Sequence, residues 1–114
     1  MKIYDLHKDE LYIVECLREF HFLWGYGYAP SELFLCNARN EYSITFFNYI
    51  LSRKIKIKQN EDFGLDIIVE QKKGFGTKIT ELSEIAKFKR TPTSLKTLAE
   101  LVQSDYMYLI TPLL

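Results

Sequence analysis

The chain has 114 residues, enough for one compact domain with a real core and too few for two. Its hydrophobic fraction of 47% and charged fraction of 26% are those of an ordinary globular domain, while the aromatic fraction of 15% is high. Fifteen basic and fifteen acidic side chains cancel, which excludes a global field drawing the chain to nucleic acid or an anionic membrane.

The opening "MKIYDLHKDE" has no apolar run behind its lysine, so a signal peptide is not expected. No stretch approaches the roughly 18 apolar residues of a membrane span, so no membrane partner is expected either. Cys16 and Cys36 stand apart in no paired motif and read as reduced thiols of a cytosolic protein. In residues 8–24, Ile13, Leu17, Phe20 and Trp24 recur at three- and four-residue spacing, which predicts an amphipathic helix. Asp9 and Glu10 suit the dipole of its first turn, and "GYGYAPS" ends it. Ser31 then suits the cap of a second short helix running to about Asn37.

Residues 41–53, "EYSITFFNYILSR", carry two patterns. Ile44, Phe47, Ile50 and Leu51 fit a helical stripe, whereas the β-branched and aromatic content fits a strand. The helix is the expectation here, with Asn40 as its cap. "KIKIK" at 54–58 alternates strictly and predicts a strand, and "LDIIVEQ" predicts its antiparallel partner across the loop "QNEDFG". With Ile57 opposite Ile67 on the core side, Lys58 faces Asp66 and Lys54 faces Glu70 on the wet side. A third strand is expected around Lys78–Thr80, then helices over about 81–89 and 94–104, the latter capped by Thr93 or Ser94. The expected fold is a single α+β domain. A small antiparallel β-sheet, with its hairpin at about 54–72, is flanked by an N-terminal amphipathic helix and two C-terminal helices.

Four chemistries suggest themselves on this frame. Asp66 followed by Glu70-Gln71-Lys72 is similar in outline to the acid plus Glu-x-Lys signature of restriction-endonuclease-like nucleases, which implies a divalent metal held by the acids and a supporting lysine. Yet one strand separates the Asp66 and Glu70 α-carbons by about 13 Å at ~3.3 Å per residue. Carboxylates sharing a magnesium ion must bring their oxygens to about 2.1 Å from it. The solvated side of a half-buried strand is therefore the favoured reading, with a metal-dependent nuclease third among the functions.

Residues 82–102 resemble a helix-turn-helix, whose second helix enters the major groove. Lys87, Lys89, Arg90 and Lys96 make an acid-free basic run suited to phosphates. Residues 1–52 hold four basic and seven acidic side chains and residues 53–114 hold eleven and eight, so the basic run lies in the positive half. The glycine customary in the turn is missing, and Lys96 falls where an inward apolar residue is expected.

"FLWGYGYAP" supplies Trp24, Tyr26 and Tyr28, the residue types that dominate interface energetics, with Tyr106 and Tyr108 as an extension if the tail lies near. His7, His21 and Cys16 form no metal or nucleophile motif, and "GFG" and "GYG" lack the context of a phosphate loop, so no metal and no cofactor are expected. The leading expectation is a non-enzymatic protein-binding module, such as a small cytosolic inhibitor of the immunity-protein or antitoxin kind. Its catalytic residues would be none, and its acidic N-terminal half would face a nuclease partner. A DNA-binding regulator using residues 82–102 is the alternative.

Overall fold

The computed structural model describes residues 8–60, 64–73, 76–81 and 94–111. They form an α+β fold in which five antiparallel strands lie in chain order, β1 (Ala29–Cys36), β2 (Glu41–Asn48), β3 (Arg53–Gln59), β4 (Leu65–Lys73) and β5 (Gly76–Glu81). Helices α1 (Lys8–Glu19) and α2 (Leu95–Asp105) cover one face of this sheet.

The β3–β4 hairpin follows directly from alternation. Ile57 pairs with Ile67, Lys58 with Asp66 and Lys54 with Glu70, the register read from the sequence. Ile55, Ile57, Leu65, Ile67 and Val69 point into the core, joined by Tyr42, Ile44 and Phe46 of β2. From above come Tyr12, Cys16 and Phe20, together with Leu95, Leu98, Ala99 and Val102 of α2. The Tyr12 ring stacks on Tyr42 at 5.4 Å, and its hydroxyl donates 2.6 Å to the Ile57 carbonyl. Burying a side chain of this size is worth roughly 1.5–3 kcal/mol. The third expected strand is β5, and Ser94 caps α2 by accepting from the Thr97 amide at 3.1 Å.

Several expectations are corrected. Residues 31–36 lie in strand β1 and Asn37 opens a 3₁₀ turn, and the Ser31 hydroxyl expected to cap a helix instead donates to the Thr45 carbonyl at 3.2 Å. Residues 41–48 are strand β2, so the helix expected over 41–53 does not form. Asn40, its expected cap, takes a left-handed turn conformation (φ 53°) that lets β1 fold back into β2. The first helix ends at Glu19, and the chain continues as a 3₁₀ turn over His21–Tyr26. The expected helix at 81–89 lies outside the described residues except for Glu81, which ends β5.

Candidate partner-binding surface

The sheet face away from the helices carries Lys54, Lys56 and Lys58 of β3 beside Asp66, Ile68, Glu70 and Lys72 of β4. This is the nuclease-like stretch, and its carboxylates stand as spacing required, four residues apart on one strand. A further acid does come near. Glu32 of β1 and Glu70 line one hollow of about 180 Å³. Between them, however, lies Lys54, which sits 3.9 Å from Glu32, pairs with Glu70 across the ladder and lies 5.9 Å from the centroid of the Phe47 ring. An ammonium therefore occupies the space between the two acids. Among the described residues no three His, Cys, Asp or Glu side chains gather as a metal site.

Of the basic run, Lys96 is described and lies exposed on α2 beside the buried Leu95, while Lys87, Lys89 and Arg90 lie outside the described residues.

The aromatic residues are gathered by a polar framework at one end of the sheet. Asn48, buried at the end of β2, donates through its amide to the Tyr26 carbonyl at 2.9 Å and accepts from the Leu51 amide at 3.0 Å. The first bond docks the 21–28 loop on the β2–β3 turn, and the second shapes the turn itself. Gly27 makes the approach possible. Its φ is 91°, and a β-carbon there would stand 3.0 Å from the Asn48 amide nitrogen.

Arg53, buried at the start of β3, then ties in the C-terminal segment. Its guanidinium donates to the Leu109 and Thr111 carbonyls at 2.8 and 2.9 Å and to Gln71 Oε1 at 2.6 Å. Tyr28 donates to the intervening Ile110 carbonyl at 2.8 Å. Three successive carbonyls are thus held by two side chains from distant parts of the chain. Burial pushes the Tyr28 hydroxyl pKa upward, with the neighbouring Arg53 charge pulling against it.

Around this framework the exposed groups collect. Trp24 and Tyr26 of the loop and Tyr108 of the C-terminal 3₁₀ turn (Met107–Leu109) are 40%, 46% and 50% exposed. Trp24 is braced edge-on by Phe46 at 5.9 Å and by the tilted ring of His21 at 5.0 Å. Tyr106 is partly buried and its ring lies 6.0 Å from Tyr108. Tyr28 is at the same end but almost wholly buried, so its part is to hold the segment in place. The most exposed pair escaped sequence reasoning. Tyr49 and Ile50, at the tip of the β2–β3 turn, are 83% and 91% exposed, with Tyr49 edge-on to Phe47 at 4.5 Å. The two-residue apolar tip would have been legible had 41–48 been read as a strand, because a hairpin turn is ordinarily polar.

The two cysteines are free. Cys16, on the inner face of α1, is buried, and burial pushes its thiol up to about 12. Cys36, ending β1, has its pKa lowered by a hydrogen bond from Arg39. No protein-family model matches the chain, and no curated protein or solved structure matches it either.

Proposed function

We propose that the chain is a non-enzymatic protein-binding module, a small cytosolic inhibitor of the immunity-protein or antitoxin kind, that grips its partner with the aromatic end. One observation carries this reading. Three segments far apart in sequence are hydrogen-bonded together so that Trp24, Tyr26, Tyr49, Ile50 and Tyr108 stand exposed around a buried polar framework. Exposing such residues costs water contact with apolar surface, and aromatic anchors of this kind carry about 2 kcal/mol or more each when buried by a partner. Their rigid support lowers the entropy lost on binding.

The test is capture from native lysate with the unchanged chain and with a Tyr49→Ser, Ile50→Ser double variant. A stoichiometric protein partner, insensitive to nuclease and lost in the double variant while its melting temperature is kept, is the expected outcome. Recovery of nucleic acid alone, weakening steeply with salt, would replace this reading with the DNA-binding regulator that uses residues 82–102.

A further inference from the structure

The lateral edge of the sheet is separate from the aromatic end. Among the described residues β1 pairs with β2 alone, and seven of its eight residues are exposed. An open strand edge offers unpaired backbone donors and acceptors, and proteins ordinarily guard it with proline, charge or a bulge. Here the guards stand together at one end. Pro30, the shift of register between Pro30 and Glu32, and the Glu32 carboxylate all precede Leu33. The run Leu33-Phe34-Leu35-Cys36 has none, and Leu33 and Phe34 are 56% and 48% exposed. The opposite edge, β5, has one exposed apolar side chain, Ile79, beside the exposed Lys78, in place of an apolar run.

Beside the unguarded run, α1 and β1 enclose an apolar groove of about 410 Å³, lined by Ile13, Leu17, Pro30, Leu33 and Ile44 among others. We infer that this edge pairs with β1 of a second copy of the chain, antiparallel about a twofold axis through Phe34, to make a continuous ten-stranded sheet. The register comes from the strand itself. Regular pairing spans Glu32–Cys36, whose centre is Phe34. A twofold axis perpendicular to the sheet keeps the helices of both copies on one side, so residues of like parity oppose each other.

Phe34 then meets Phe34 on the open face. On the helix face, Leu33 of each copy meets Leu35 of the other at the mouth of the groove. Glu32 meets Cys36, and charge favours that arrangement over its alternatives. The strand is acidic at the Glu32 end and basic beyond the other, at Arg39, so antiparallel self-pairing sets opposite charges together at both ends. Arg39 also holds Glu41 at 3.5 Å and Glu32 holds Lys54 at 3.9 Å, so the contacts between copies extend existing ion pairs. The aromatic ends of the two copies point in opposite directions and stay open.

Sedimentation equilibrium of the full chain over roughly 1–100 μM should give the mass of two chains. Leu33→Lys with Leu35→Lys should give one chain with an unchanged circular dichroism spectrum. Glu32→Arg should raise the dissociation constant about tenfold, and adding Arg39→Glu should restore it, a rescue that a foreign strand on the edge does not produce.

Register is read independently of these variants' folding. Glu32→Cys should form a covalent dimer with native Cys36 on mild oxidation, and the bond should vanish when Cys36→Ser is added. Within one chain these two positions are about 13 Å apart along the strand, beyond the reach of a disulfide. A single-chain mass across the whole concentration range would overturn the inference. So would cross-linking of Glu32→Cys no faster than that of the unchanged chain.

Discussion

The β1–β2 and β3–β4 hairpins are neighbours in one sheet, yet they distribute apolar residues in opposite ways. In β3–β4 the alternation is regular, with aliphatic side chains under the helices and, apart from Ile68, lysines or acids on the open face. In β1–β2 alternation fails on both strands. β2 is buried at five consecutive positions, because Ser43 and Thr45 on the open face lie between neighbouring strands, and β1 is exposed on both faces. A regular pattern marks strands that meet one dry and one wet surface. Where the open-face side chains are short and shielded by the strands beside them, as in β2, or where a strand lies at an edge, as in β1, burial ceases to alternate.

The contrast can be tested by matched substitutions. The largest effect is expected at Ile57, fully buried in β3, where Ile57→Ala should cost about 2–5 kcal/mol in urea unfolding. A loss below ~1 kcal/mol would show that β3 is not the centre of the core. Arg53→Met comes next. It leaves the Leu109 and Thr111 carbonyls without their donor and should cost about 2–4 kcal/mol. Tyr28→Phe, removing one bond to the same segment, should cost about 1 kcal/mol.

A pH titration separates the buried helix side from the edge. Cys16 ionises at about 12 in the folded chain against an ordinary 9.0, so the unfolded chain releases its proton first. Stability from this group is complete below pH 9 and falls as pH rises toward 12. Cys16→Ala should make that fall shallower, whereas Cys36→Ala should not. The smallest effect belongs to the edge. Leu33→Ala should change unfolding of the dilute single chain by less than ~0.5 kcal/mol, although it removes a leucine of the same sheet.

What was legible follows from the same contrast. The hairpin register was readable to the residue, while the strand around Lys78–Thr80, observed as Gly76–Glu81, and the cap at Thr93 or Ser94, observed at Ser94, were readable from local pattern in outline. β1 and β2 were not, because their identity rests on pairing partners distant from their own local signals. Ile44 and Phe47, one helical turn apart in the misread stripe, lie on opposite faces of β2, and Ile50 sits in the turn beyond it. Ser31 and Asn40 are good helix caps by type, but the same side chains serve strand and turn geometry equally well. At the aromatic end, Trp24, Tyr26 and Tyr108 were singled out by residue type, and the structure leaves them exposed. Tyr49 and Ile50 needed the turn, and the burial of Tyr28 needed the C-terminal segment it holds.

The clamp of Tyr28 and Arg53 on residues 109–111 also sets an order of events during synthesis. Each strand of the meander meets the one made just before it, so the sheet can zip as it leaves the ribosome. The clamp joins residues 82, 56 and 58 positions apart, and the carbonyls it needs emerge after all five strands. Until they arrive, a buried arginine has no carbonyls to receive it and the aromatic end lacks one of its three walls. The exposed aromatic end is therefore assembled only after the sheet, and a nascent chain stalled before Leu109 carries the sheet without the segment that Tyr28 and Arg53 hold.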